Sequence, residues 1–152
     1  MLFRSKLELA RRLGATHAIN STSADPAEEI RKIVGPSGLD VAVDMTGHVG
    51  VIQTAYELTA AQGRTILVGV PRKGEKVCIY TLPLHFRKVL KGSEGGGTQP
   101  EIDIPRYVRL CHAGKLNLKP LVTDRYPFER INDALADLRQ GKIAGRCMIK
   151  MG

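Results

Sequence analysis

The sequence predicts an α/β fold built on a parallel sheet, and three observations carry that expectation. The stretch GRTILVGVP, residues 63–71, contains the unbroken apolar run Ile66-Leu67-Val68. A strand that is apolar on successive residues is one covered on both faces, as strands of parallel sheets are. A second run, LDVAVDMTG at 39–47, reads the same way, and residues 49–61 between them have helical spacing, with Val51, Ala55 and Leu58 beside Ile52 and Tyr56. Strand, helix and strand over about thirty residues make one βαβ unit. Both strands end in a glycine-containing turn. Ligands of open α/β sheets collect beyond the carboxyl ends of the strands, so Thr46-Gly47 and Gly69-Val70 are where a site is expected.

Taken in order, SKLELARRL at 5–13 places Leu7, Ala10 and Leu13 on one helical face, with Gly14 as a left-handed stop, while residues 1–4 are too short for an element of their own. Residues 16–20 are expected to form a short strand. Asp25-Pro26 opens the next helix in the favoured order of cap then proline, and Gly35-Pro36 ends it. After the strand at 66–68, residues 72–76 form a charged loop and 77–80 a possible short strand. A proline-containing turn follows at 81–85, and Val89 to Ser93 reads as an outer strand. Glu94-Gly95-Gly96-Gly97 is a turn whose backbone a ligand can approach closely. A helix at 104–113 turns Ile104, Val108 and Cys111 inward. A strand at 121–126, a helix at 128–139 and a strand at 146–151 complete a nearly regular β/α alternation without repeats.

The chain has 152 residues, enough for one domain with a real core, and an ordinary globular composition. No apolar run approaches the roughly twenty residues that a membrane span needs, and the amino terminus lacks a signal-peptide core, so a soluble, cytoplasmic protein without membrane partners is expected. Three cysteines, Cys78, Cys111 and Cys147, are dispersed with no CxxC, which disfavours both a disulfide framework and a zinc cluster and leaves them as buried apolar residues. The net charge of +8 is spread along the chain. Its densest cluster, Arg87-Lys88 with Lys91, has one aromatic neighbour, Phe86, so the footprint of a nucleic-acid binder is missing and a solvated basic surface is expected.

Six short motifs in order, KLELARRLGATHAIN, VDMTG, TILVGVP, LKGSEGGG, KLNLKPLVTDRYPFERINDALADLRQGK and AGRCMIK, resemble the carboxyl half of zinc-type alcohol dehydrogenases, members of the medium-chain dehydrogenase family. The resemblance covers the chain from Lys6 onward. It implies an incomplete Rossmann-like, doubly wound parallel sheet in which the first two strands are missing, with a tail that returns to the catalytic domain. Residues 1–98 would be a partial dinucleotide-binding domain and 99–152 the helices and strands that complete it. By the same resemblance the glycine-rich pyrophosphate turn, the acid that holds the adenosine ribose and the Cys and His zinc ligands lie upstream, so the chain is expected to be a fragment. The implied activity is hydride transfer between an alcohol or aldehyde and NAD or NADP, with zinc only in the missing half and no catalytic or metal-binding residue here. The chain alone is expected to be inactive.

The site residues follow from the resemblance position by position. Thr46 and Gly47 match a turn that packs along the cofactor, and Val68, Gly69 and Val70 match a strand end whose backbone meets the carboxamide. Ser93 and Gly95 match further backbone contacts to it. Arg146 matches an arginine that pairs with the pyrophosphate, a contact suited to a guanidinium, and Lys6 a lysine near the adenosine ribose. Each has a plainer alternative: chain reversal for the glycine turns, and solvated surface for Arg146 and Lys6. Glu94 departs from the family, which has an apolar or aromatic residue at that substrate-facing spot. Asp44 reads as a structural loop cap and His48 as a solvated helix start. Two alternatives stay open, a zinc-free quinone or enoyl reductase of the same superfamily and a silent interaction or subunit fragment. In the family, outer strands pair across a two-fold axis, so a homodimer through Val89 to Ser93 is implied.

Overall fold

The computed structural model describes residues 2–152. In chain order its main elements are α1 (Leu2–Arg12), α2 (Pro26–Val34), β1 (Leu39–Asp44), α3 (Val49–Leu58), β2 (Thr59–Leu67), β3 (Val89–Gly92), α4 (Pro100–His112), β4 (Val122–Pro127), α5 (Ile131–Arg139) and β5 (Arg146–Lys150). Contacts divide the chain into one unit of Ser21–Gln99 and another of the residues through Asn20 together with Pro100–Gly152.

The first unit is a three-stranded parallel sheet in the order β1-β2-β3. Its helix α2 starts as the sequence requires. The Asp25 side chain accepts the Ala27 N–H at 2.8 Å, and Pro26 occupies the first turn, where its missing N–H costs nothing. Helix α3 crosses from β1 to β2 and buries Ile52 at 1% exposure, with Tyr56 and Leu58, against the sheet. Full burial of such a side chain is worth about 1.5–3 kcal/mol.

Where α3 turns into β2, a buried polar chain fixes the geometry. The Thr59 hydroxyl donates to the Ala55 carbonyl at 2.7 Å, which uses its one hydrogen, so Thr65 is the donor in the 2.8 Å contact between the two threonine hydroxyls. The Lys88 ammonium donates to the Thr59 carbonyl at 2.7 Å and sits 4.3 Å from the centre of the Tyr56 ring. Burial pulls the Lys88 amine below its usual range, with Glu57 acting in the opposite direction.

In the second unit β4 and β5 pair in parallel, joined through α5. Asp137 on α5 accepts the Tyr126 hydroxyl at 2.8 Å and the Lys142 ammonium at 2.9 Å, tying β4 and the turn after α5 to the helix. Leu9, Ala134 and Ile143 are its buried apolar side chains.

The α/β class and the parallel pairing agree with expectation. Several local expectations are corrected. Residues 16–20 and 77–80 are not strands. A strand needs a neighbour for its ladder, and no described strand pairs with either segment. Helix α1 starts at Leu2, so residues 2–4 do belong to an element, and α4 begins at Pro100, before the expected start. Helix α3 ends at Leu58, and the residues expected to finish it open β2 instead. The bulge there, between the Leu39↔Thr59 and Val41↔Arg64 pairs, absorbs Gly63, where a Cβ would stand 2.6 Å from the Leu39 carbonyl oxygen.

Coverage of both sheet faces is also incomplete. Val41 and Val43, which share one face of β1, are 46% and 53% exposed, whereas Ala42 and Asp44 on the opposite face are buried. Ile104 and Val108 on α4 are exposed rather than inward, Cys78 is exposed, and Cys111 and Cys147 are only partly covered. Lys88, read as part of a solvated basic run, is 8% exposed.

Candidate functional site

The site grows out of the last residue of β1. Asp44 is 1% exposed, and its carboxylate gathers three donors from the turn that follows: the Thr46 N–H at 3.0 Å and hydroxyl at 2.7 Å on Oδ1, and the Gly47 N–H at 2.9 Å on Oδ2. Its backbone carbonyl accepts the N–H groups of Val68 and Gly69, each at 2.9 Å, from the turn after β2. One residue therefore anchors two turns that are far apart in sequence. Burial pushes the Asp44 carboxyl up, but the hydrogen bonds from Thr46 and Gly47, with the nearby His48, outweigh it and hold the group below its ordinary value.

The two turns meet backbone to backbone. Gly47 has φ +68°, and a Cβ there would collide with the Val70 carbonyl, while a Cβ on Gly69 would stand 2.5 Å from the Thr46 nitrogen. Only glycines permit this approach. The Thr46 hydroxyl also accepts the His48 N–H at 3.0 Å, completing the turn into α3, whose first turn His48 precedes without a side-chain cap. Thr46, Val68 and Val70 lie exposed along the resulting rim.

Beside the rim, the Ser93 N–H donates to the Leu67 carbonyl at 2.8 Å and carries the β2–β3 ladder past Gly92. The Ser93 hydroxyl oxygen accepts the Gly96 N–H at 3.1 Å, shaping the glycine turn in which Gly95, Gly96 and Gly97 all have positive φ. Here lies a cleft of about 510 Å³ lined by residues that include Ile66, Lys91, Ser93, Glu94, Gly96 and Gly97. A larger apolar groove of about 670 Å³ runs along β1 between Val41, Val43, Ile30, Val51, Ala55 and Leu58. It follows the uncovered strand face, and its aliphatic lining offers few polar groups to orient a ligand. The cleft at the strand ends, with its exposed backbone groups, is the better candidate.

Of the residues singled out from sequence, the structure brings Thr46, Gly47, Val68, Gly69 and Val70 onto one rim and sets Ser93 and Gly95 at the end of the adjoining strand. Lys6, exposed on α1, and Arg146, exposed at the first position of β5, belong to the other unit. The loop-cap role of Asp44 is as expected, but its carbonyl anchor on the second turn was not foreseen. Lys91, which the sequence places in a solvated basic cluster, lines the cleft. For Asp44 the available signal was the spacing of an acid two residues before a threonine and three before a glycine, which suits a carboxylate closing a turn on itself. Among the described residues, no group of three or more His, Cys, Asp or Glu side chains is clustered to hold a metal ion.

Comparison with known proteins places this geometry in context. The family described as Zinc-binding dehydrogenase matches residues 2–112. The chain is 33% identical over 150 residues to "Alcohol dehydrogenase-like 3" of Arabidopsis thaliana, covering 97% of this chain and 38% of that protein. It is 30% identical over 140 residues to "S-(hydroxymethyl)glutathione dehydrogenase" of Haemophilus influenzae, covering 91% and 37%. Among solved structures, benzyl alcohol dehydrogenase from Acinetobacter calcoaceticus superposes with a TM-score of 0.87 at 34% identity, over 98% of this chain and 41% of that one. The chain thus spans about two fifths of the length of these relatives.

Proposed function

Because the chain belongs to the zinc-binding dehydrogenase family, we propose that it forms the nicotinamide-facing part of a dinucleotide-binding domain serving an NAD(P)-dependent alcohol dehydrogenase. The observation that supports this is the rim at the carboxyl ends of β1 and β2, where Gly47 and Gly69 let the two turns meet backbone to backbone and Thr46, Val68 and Val70 lie exposed along one edge. Ligands of open α/β sheets collect at the carboxyl ends of the strands, where this rim lies. When bound, the dinucleotide supplies the hydride-accepting ring.

The chain's own residues bind and orient. Thr46 and Gly47 offer the wall along which the cofactor packs, the backbone of Val68, Gly69 and Val70 meets its carboxamide, and Ser93 and Gly95 close the far side. Glu94 places a carboxylate in the lining of the cleft, which favours a substrate with a polar or cationic portion. The alcohol or aldehyde chemistry belongs to the whole protein of which such a domain is one part, and a cytoplasmic location suits it. A homodimer pairing β3 edges is the assembly that accompanies this function.

The β1 edge supports one second reading, an interaction module without catalysis, since Val41 and Val43 expose an apolar strand face. Calorimetric titration of the 152-residue chain with NADH and NADPH separates the two. Saturable binding of either dinucleotide supports the first reading, and none up to millimolar concentration supports the second.

A further inference from the structure

Asp44 does more than end a strand. The register of β1 with β2 runs out at the Asp44↔Leu67 pair, so the sheet itself asks nothing of this carboxylate. A buried carboxylate is costly unless its oxygens are hydrogen-bonded, and here both are, entirely by donors from the turn at Thr46 and Gly47. The carbonyl of the same residue holds Val68 and Gly69. With Gly47 and Gly69 in backbone contact, the two turns cannot shift independently. The outward-facing rim residues Thr46 and Val68 are thus both tied to one residue that does not itself reach the surface.

We infer that Asp44 is the positioning residue of the dinucleotide rim, fixing the backbones of Thr46, Gly47, Val68 and Gly69 as one preformed surface; this rests on the dinucleotide reading above. Preformed surfaces bind more tightly because less ordering is left for the ligand to impose. Asp44→Asn keeps the shape and one acceptor oxygen but turns an amide N–H₂ toward the Gly47 N–H or toward Thr46, so the turn must rearrange.

The test is amide NMR of the wild-type chain, Asp44→Asn and the core control Ile52→Val, each with and without NADH. In Asp44→Asn without ligand, the amide signals of Val68 and Gly69 move along with those of Thr46 and Gly47, and their hydrogen exchange quickens. The NADH dissociation constant of the folded variant rises about tenfold, while Ile52→Val lowers the unfolding temperature and leaves that constant unchanged. Unmoved Val68 and Gly69 signals, or an unchanged dissociation constant in folded Asp44→Asn, overturns the inference. If Asp44→Asn does not fold, Thr46→Val, which deletes one donor to the same carboxylate, is judged by the same signals. A wild-type chain that binds no NADH removes the dinucleotide reading itself, and the ligand-free spectra then decide whether Asp44 couples the two turns.

Discussion

Gly47 and Gly69, twenty-odd residues apart in sequence, face each other so closely that a Cβ on Gly69 would collide with the Gly47 backbone nitrogen. The contact joins the ends of two neighbouring parallel strands. Gly69→Ala has no flexible side chain to displace, only backbone, so the rim must spread. Overpacking of this kind costs about 1–3 kcal/mol. Urea unfolding is expected to show a lower midpoint with an unchanged slope. A wild-type midpoint would mean that the two turns stand farther apart in solution.

Acid stability should follow Asp44. Its folded value lies below the ordinary carboxylate value, so the unfolded chain takes up the proton first as pH falls. The stabilisation is therefore complete above the ordinary value of about 4 and is lost as pH drops through the folded one. Asp137 acts in the same direction through its hydrogen bond from Lys142 and then that from Tyr126. Urea midpoints measured from about pH 6 down to about pH 2 should fall in the wild type, and Asp44→Asn and Asp137→Asn should each flatten part of that fall. An acid limb unaltered by Asp44→Asn would contradict the bonding described around the carboxylate.

Arg146 is exposed at the start of β5, where a guanidinium has water as its alternative partner. If it meets the pyrophosphate, Arg146→Ala weakens dinucleotide binding by about 1–3 kcal/mol, the usual worth of a charge-assisted contact. Equal calorimetric constants for wild type and variant would leave Arg146 a surface residue.

Strand β3 is the other edge of the three-stranded sheet. With Lys88 turned inward to the Thr59 carbonyl, Lys91 is left as the strand's charge against unwanted pairing. Pairing of Val89 to Ser93 with its copy would satisfy the open backbone groups and cover the half-buried Leu90. Leu90→Pro removes a backbone donor and fixes φ, so it should convert a dimer to monomer or aggregate. Sedimentation at micromolar concentration that finds the wild type monomeric, or the variant still dimeric, would place any interface elsewhere.

The sequence made β1, α3 and the ends of β1 and β2 legible because apolar runs closed by glycine turns have few other structural solutions. Residues 16–20 misled because β-propensity is local while a strand is a pairing, and no described strand lies beside them. Lys88 misled in the opposite sense: within a basic run nothing distinguishes the one lysine whose stem crosses Tyr56 to reach a buried carbonyl. The glycines of the rim were visible as turns, but the closeness of Gly47 to Gly69 depends on strand adjacency. The double hold of Asp44 on both turns is a property of the folded sheet and has no trace in spacing beyond the first turn.

The most direct test of the proposed rim is a two-dimensional amide NMR titration of the 152-residue chain with NADH. Progressive, saturable shifts concentrated at Thr46, Gly47, Val68, Gly69, Val70, Ser93 and Gly95 are the expected result. Shifts confined to the apolar groove around Val41, Val43 and Val51, or no shifts at millimolar ligand, would contradict it.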